Sequence, residues 1–577
     1  MKNSIINSNP NLPFAGLYKT KFETAMSSNL HIPLSLKLPE ILFITTIPPR
    51  QCGIATYSQD LIKALENKFK GSFKIKICAL ESNNEQKNYD DQVQYKLNTD
   101  DKSAYENLTQ KIKDNSNIKM VLLQHEFGLF RNSEEELIEF LTNINKPVII
   151  GFHTVLPNAN DAFKAHLNSI IKKVHSIIVM TNAAAKILNE EYGVSKDRIA
   201  VIPHGTHLVP HTDKDVLKEK YGFSGRKILS TFGLLSSGKS IETTLDAMPK
   251  IVSENKDVLF LIIGKTHPSV VKEEGEKYRD MLQDKIDDLK INDNVKFINN
   301  YVALNQLLEY LQLTDIYLFT SKDPNQAVSG TFSYAMSCSC PIVASKIPHT
   351  MESLTSDVGI LVDIQNVEQF AAATIKLLAD DALRTQMALN AYAKTTKTSW
   401  ENTAIKHVEV YQRISKELNH IKISHPTIKM DHLRKMTTDI GIIQFCKISD
   451  PDLESGYTID DNARALIAIC KYYQLAGKQS DIEYMKIYLN FIERCQMTDG
   501  SFINYVDKYN VIEARNSNEN LEDSNGRAIW ALGYFLGLPL SSEQAPLINQ
   551  AIYCLKKGVK NAEKFNSPRA IAFSIKG

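Results

Sequence analysis

From about residue 37 onward, short β-branched runs alternate with longer stretches whose apolar residues recur at helical spacing. The runs fall at 41–44, 73–77, 120–123, 147–150, 176–179 and 199–202, and a second series follows at 227–230, 258–263, 295–298, 316–319 and 341–344. Strands alternating with amphipathic helices predict parallel α/β sheets. Two doubly wound, Rossmann-like halves are expected, joined near residues 205–225. From about residue 430 the pattern changes to helix pairs with few strand signals. Three segments there echo one another: Asn462-Ala463-Arg464-Ala465-Leu466, Asn525-Gly526-Arg527-Ala528-Ile529 and Ser567-Pro568-Arg569-Ala570-Ile571. Each opens a helix with a small or capping residue and then Arg-Ala, the mark of repeated α-hairpins. The expected division is a polar leader (1–36), an N-terminal α/β domain (37–210), a second α/β domain (211–400), a crossing helix and linker (401–429) and an all-α helical-hairpin domain (430–577). The apolar ending, Ile571-Ala572-Phe573-Ser574-Ile575, suggests that the last domain is incomplete.

Composition narrows the class without choosing a chemistry. The chain of 577 residues is 43% hydrophobic and 23% charged, and 67 basic residues against 66 acidic ones leave a net charge of +1. That balance predicts neither nucleic acid nor an anionic membrane as the main partner, so any basic site must be local. No run approaches the ~20 apolar residues that span a bilayer, and the leader lacks an apolar signal core, so a cytoplasmic location is expected. The eight cysteines include no Cys-x2-Cys pair, which argues against disulfides or zinc. Cys338-Ser339-Cys340 reads as small residues packed under a turn, with a redox pair as the alternative.

The most informative stretch is 320–345, TSKDPNQAVSGTFSYAMSCSCPIVAS. It reads as a strand end, a polar loop carrying Ser329-Gly330-Thr331, a helix through Phe332 to Ser337, and a turn into another strand. A helix that begins on Ser-Gly-Thr aims unpaired backbone N–H groups and its positive dipole end above the sheet edge. That is a phosphate seat. On these residues the segment resembles the donor-binding motif of retaining glycosyltransferases of family 4 (group 1), usually Glu-x7-Glu running into Ala-Met-x-x-Gly-x-Pro-Val-Val-Ala. Ala335-Met336 and Pro341-Ile342-Val343-Ala344 keep the frame, while Gln326 and Tyr334 stand where the two glutamates belong. In that family the first glutamate contacts the transferred sugar and the second the nucleotide ribose. Gln326 can donate and accept hydrogen bonds to sugar hydroxyls without a charge, and Tyr334 can reach a ribose hydroxyl or simply pack. A subgroup with Gln-x-x-Ser-Gly-Thr-x-x-Tyr-Ala makes the change a variant of the motif.

The resemblance extends over about residues 38–415 and implies the GT-B fold, in which two α/β halves face one another across a cleft and ligands sit at the carboxyl ends of the strands. Cys52-Gly53-Ile54 follows the first strand, where glycine lets backbone approach a ligand and a helix begins; the alternative is an ordinary strand-to-helix turn. His153, in Phe152-His153-Thr154, matches the family position that holds donor-sugar hydroxyls, and His125-Glu126 is a candidate to orient the acceptor. His204-Gly205 resembles the Pro-x-Gly closing the first domain and reads as structural. Gly233-Leu234-Leu235-Ser236-Ser237-Gly238-Lys239 matches a Gly-Arg-Leu-x-x-x-Lys phosphate loop, with Leu234 where the family has arginine. Lys239 and the backbone donors at Gly330 and Thr331 must then neutralise more of the diphosphate. Glu242 reads as a capping carboxylate.

The resemblance therefore implies a hexosyltransferase that moves a sugar, mannose on the variant motif, from a nucleotide diphosphate sugar to a carbohydrate hydroxyl with retention. Its expected catalytic residues are His153, Lys239 and Gln326, and its binding residues Gly53, Gly233, Lys239, Ser329, Gly330, Thr331 and Tyr334. No metal or other cofactor is expected. Two alternatives stay open: a catalytically degenerate carbohydrate-binding scaffold, and a hydrolase or phosphorylase in the helical domain. The sequence around Gly456 to Asn462 resembles (α/α)-barrel regions of carbohydrate-active proteins, and Glu454, Asp460, Asp461, Asp499, Glu522 and Asp523 are its candidate acids. Acidic residues at helix starts more often serve as caps.

Overall fold

The runs form two parallel sheets in the computed structural model, which describes residues 38–83, 86–326, 328–424 and 427–577. The polar leader lies outside the described residues. The first sheet holds β1 (Glu40–Thr45), β2 (Lys74–Glu81), β3 (Val93–Asn98), β4 (Ile118–His125), β5 (Val148–Phe152), β6 (Ser176–Val179) and β7 (Ile199–Val201) in the order β3-β2-β1-β4-β5-β6-β7. The second holds β8 (Lys227–Phe232), β9 (Val258–Ile263), β10 (Val295–Ile298), β11 (Ile316–Phe319), β12 (Ile342–Ser345) and β13 (Gly359–Val362) in the order β10-β9-β8-β11-β12-β13. Both orders reverse direction next to the first strand of the series. Ligands of doubly wound sheets gather beyond the strand ends at such a reversal.

The chain divides into two compact units. One comprises the first sheet with its helices and Ala404–Ser424; the other comprises Met180–Ala184, Pro203–Thr403 and the chain from 427 on. The 404–424 stretch is tied to the first sheet's unit, where the Ser424 amide donates to the Lys68 carbonyl at 2.7 Å and the Lys422 amide to Ser72 Oγ at 2.9 Å. Both sheets are covered on their faces by amphipathic helices, and Ile41 to Ile44 and Val258 to Ile263 are buried throughout. β3 and β13, each at an edge of its sheet, went unseen as strands in the sequence, whereas β7 and β10 at the opposite edges were read. β3, Val-Gln-Tyr-Lys-Leu-Asn, keeps only Leu97 buried.

Helix α1 (Gly53–Lys68) follows β1, α2 (Ile241–Glu254) follows β8, and α3 (Gly330–Ser337) follows β11. The C-terminal region is built from α4 (Ile459–Ala476), α5 (Ser480–Arg494), α6 (Glu522–Leu536), α7 (Ala545–Ala562) and α8 (Pro568–Lys576). Its repeats are one structural device used more than once. Asn462 accepts from the Ile442 amide at 2.9 Å and donates to the Thr458 carbonyl; Asn525 accepts from the Phe502 amide at 2.7 Å and donates to the Phe502 carbonyl. Both asparagines are buried, and each ties an inner helix start to the loop before it. The acid two residues earlier pairs with the arginine of the next repeat: Asp460 with Arg527, and Asp523 with Arg569 at 3.3 Å. These pairs set the register of α4, α6 and α8.

Candidate functional site

In the second sheet the reversal falls between β8 and β11, and the loops leaving those two strands carry the expected phosphate-binding residues. They are bonded together: Thr320 Oγ1 donates to the Lys239 carbonyl at 2.8 Å, and the Lys322 amide to the Gly238 carbonyl at 3.2 Å. Gly233 adopts φ +138°, and a Cβ there would meet Thr331 Cγ2 at 3.2 Å, Lys239 Cε at 3.6 Å and Lys239 Nζ at 3.9 Å. Three residues separated by up to 98 positions thus converge on one point above the sheet.

Ser329 is the N-cap of α3, its side chain accepting from the Phe332 amide. The Gly330 and Thr331 amides remain as first-turn donors that no helix satisfies internally. Lys239 is half-buried, and burial holds its ammonium below the usual lysine range. Among the described residues no carboxylate pairs with it.

Other expectations on this half resolve differently. The Gln326 amide stitches its own loop, its Oε1 accepting from Ser321 Oγ at 2.6 Å and its Nε2 donating to the Val328 carbonyl at 3.1 Å. Tyr334 takes the packing alternative for its ring, which is buried against His207 (5.0 Å) and Phe232 (5.9 Å between centroids). Glu242 accepts from the Tyr278 hydroxyl at 2.6 Å rather than capping α2, because Tyr278 also receives the Ile241 amide and so stands at the helix start in its place. Cys338 and Cys340 are free thiols under the turn; burial pushes Cys340 up to about 12.

In the first sheet's unit, α1 starts on exposed Gly53, whose N-cap residue Cys52 supplies no side-chain bond. Nothing lies within 4 Å of a Cβ built at Gly53, so its face is open. His153 follows β5, with Nε2 on Gln124 Oε1 at 2.9 Å and its ring edge-on to Tyr57 of α1 at 5.0 Å. An amide oxygen only accepts, so Nε2 carries the proton. Glu126 accepts from Thr154 Oγ1 at 2.7 Å and from the Phe127 amide, and burial raises its pKa.

His125 is a core residue. Its ring stacks on Phe130 at 5.4 Å, meets Phe127 and Phe152 edge-on, and leaves Nδ1 without a hydrogen-bond partner. Burial pushes its pKa down to about 3. The native ring is neutral, whereas the unfolded chain takes up a proton near 6.5. Stability from the neutral ring is therefore whole above about pH 6.5 and is lost as pH falls towards 3. His125→Phe is expected to stabilise this unit by about 1 kcal/mol at neutral pH, by removing an unpaired polar atom. It should also flatten the acid limb of a pH-dependent denaturation series, which urea melts at pH 7 and pH 5 would read.

Among the described residues no cluster of three or more His, Cys, Asp or Glu side chains converges as metal ligands, and no helix is long and apolar enough to cross a membrane.

Comparison with known proteins agrees with this geometry. Residues 213–394 match the family described as glycosyl transferases group 1, and residues 53–209 match glycosyltransferase family 4. Among curated proteins, a D-inositol 3-phosphate glycosyltransferase of Corynebacterium urealyticum is 26% identical over 42% of this chain and 58% of its own length. A phosphatidyl-myo-inositol mannosyltransferase of Mycolicibacterium smegmatis is 24% identical over 47% of this chain and 66% of its own. The chain thus spans less than two-thirds of either relative. Among solved structures, Anabaena HepE in complex with UDP superposes with a TM-score of 0.52 at 15% identity, covering 65% of this chain and 100% of that one. Sucrose-phosphate synthase of Thermosynechococcus elongatus does so with a TM-score of 0.55 at 15% identity, covering 65% and 98%. These likenesses speak to the fold, two Rossmann-like domains of GT-B type. With both α/β halves matched in order, the chain belongs to the group 1, family 4 glycosyltransferases.

Proposed function

We propose that this protein is a retaining hexosyltransferase that takes its sugar from a nucleoside diphosphate donor and passes it to a carbohydrate hydroxyl. The observation that carries the reading is Lys239: a desolvated ammonium with no carboxylate partner among the described residues, its side chain meeting that of Thr331 at Gly233. A diphosphate is the ligand whose charge and size fit a lysine and two helix-start amides. In the reaction the acceptor oxygen bonds to the anomeric carbon on the face from which the diphosphate departs. The bond from that carbon to the phosphate oxygen breaks, and the acceptor proton passes to the leaving oxygen. Lys239, Gly330 and Thr331 stabilise the charge that grows there. Mannose is the proposed sugar, supported by the mannosyltransferase of Mycolicibacterium smegmatis among the relatives and by the variant motif. Neither a metal nor another cofactor enters the proposal.

The test is a thermal-shift panel of GDP, UDP, ADP and dTDP, followed by NMR of the product made from the matching nucleotide sugar. One nucleotide should raise the melting temperature, since a ligand that binds only the native state must stabilise it, and the product should keep the donor's anomeric configuration. Absence of any shift would overturn the reading.

A degenerate scaffold is the second reading, favoured by Gln326, whose amide is spent inside its own loop. The helical region favours hydrolysis less. Asp460 is held by Arg527 and by Arg464 at 2.7 Å, and Asp461 accepts from Thr458 Oγ1 at 2.6 Å. These carboxylates serve packing. Asp460→Ala strands the buried Arg527 and should cost the helical region about 1.5–3 kcal/mol. Transfer from a nucleotide sugar should persist at temperatures where the variant stays folded, as calorimetry paired with turnover would establish.

A further inference from the structure

The seat at the start of α3 is held from behind by two histidines that the phosphate loops do not include. The buried amide of Ser329, just outside the helix, donates to His349 Nδ1 at 2.9 Å. A buried amide with no acceptor costs about 1–3 kcal/mol, so this contact largely decides where the Ser329 peptide rests. His349 is itself fixed to the end of β12. Next to it, Thr350 Oγ1 donates to the Ser345 carbonyl at 2.6 Å and accepts from the Ile347 amide at 3.0 Å. The ring of Phe332, on the first turn of α3, meets His349 edge-on at 5.0 Å.

His204 closes the other side. Its Nδ1 donates to the Gly205 carbonyl at 2.8 Å, and its Nε2 faces Gly330. A Cβ at Gly330 would stand 3.3 Å from that Nε2. Gly330 thus has His204 close on one side and is tied, through Ser329, to His349 on the other. Burial, with the neighbouring His204, pushes His349 down to about 3, so its Nδ1 stays an acceptor at every pH at which the protein would work.

We propose that His349 is a positioning residue of the anion seat: by accepting the Ser329 amide it sets the height at which Gly330 and Thr331 present their N–H groups to the donor diphosphate. The inference rests on the reading of this seat as the donor site and adds a residue outside the matched motif, 20 positions from the amide it holds. It acts through the backbone and touches no substrate.

Three variants separate positioning from bulk packing. His349→Asn places an amide oxygen where Nδ1 lies, His349→Gln places it one bond further, and His349→Ala removes it. Amide exchange over 328–333 in the unliganded protein reads the contact itself. Titration with the nucleoside diphosphate that stabilises the wild-type chain reads its consequence. Exchange should quicken in the Ala and Gln variants and return to the wild-type rate in Asn, with affinity falling about tenfold and recovering alongside. Unchanged exchange in His349→Ala would overturn the contact. Quicker exchange with wild-type affinity would overturn its role in the seat, as would equal rescue by Gln and Asn. A wild-type protein that binds none of the four diphosphates fails the donor reading and the positioning role with it, and is told apart by needing no variant at all.

Discussion

Lys239→Ala is expected to remove nearly all of the thermal stabilisation that the matching nucleoside diphosphate gives the wild-type protein. A charge-assisted hydrogen bond to phosphate is worth about 1.5–3 kcal/mol, which corresponds to a loss of affinity of roughly ten- to a hundredfold. A ligand present at about 100 times its Kd stabilises by about 2.7 kcal/mol, and after a hundredfold loss only about 0.4 kcal/mol is left. The unliganded variant should melt at or above the wild-type temperature, because Lys239 has no carboxylate partner among the described residues to lose and is held below its ordinary pKa by burial. That combination, an unharmed fold with a lost ligand shift, marks a functional cation and not a structural one. A variant that keeps the full shift would take Lys239 out of the seat.

Gly264→Ala is expected to have the largest effect on stability. Gly264 closes β9 at φ +127°, and an added Cβ would lie 2.1 Å from the Gly233 carbonyl oxygen. That neighbour is backbone, and the Gly233 amide is itself bonded to the Ile263 carbonyl at 3.0 Å, so it has little room to yield. Overpacking of this kind costs about 1–3 kcal/mol, and a side chain at such a φ adds about 1–3 kcal/mol more. The expected total is about 3 kcal/mol or above, read as a fall in the melting temperature of the second sheet's unit. Any relaxation must shift Gly233 relative to Thr331 and Lys239, so nucleotide binding should fall as well. Gly53→Ala is the matched control: the space around its Cβ is empty, and the variant should fold as the wild type does.

Much of the fold could be read along the chain, because the central strands of a doubly wound sheet are apolar on both faces and stand out from the helices between them. The edge strands β3 and β13 could not, although β7 and β10 at the opposite edges could. The polar positions of Val93-Gln94-Tyr95-Lys96-Leu97-Asn98 look like loop until β2 supplies the ladder. The anion seat was legible as a motif because its parts, Gly233 with Lys239 and Ser329-Gly330-Thr331, are each local in sequence. The aromatic cage of His125 was not, since a histidine at a strand end reads the same whether it faces a ligand or Phe130. Gln326 likewise matched a family position, yet its bonds to Ser321 and Val328 depend on how the loop turns back on itself.

What the sequence by itself determined is the order of elements and the chemical types at the seat, because hydrophobic period and helix-start residues are written in contiguous stretches. What only the tertiary structure decided is which of those groups keep their charge and their donors for a ligand. Among the described residues no carboxylate is folded against Lys239, Gln326 is spent because its loop closes on it, and His349 reaches Ser329 because β12 ends beside α3. Each outcome is set by a distance through space between residues that the chain keeps apart, and periodicity along the sequence carries no record of it.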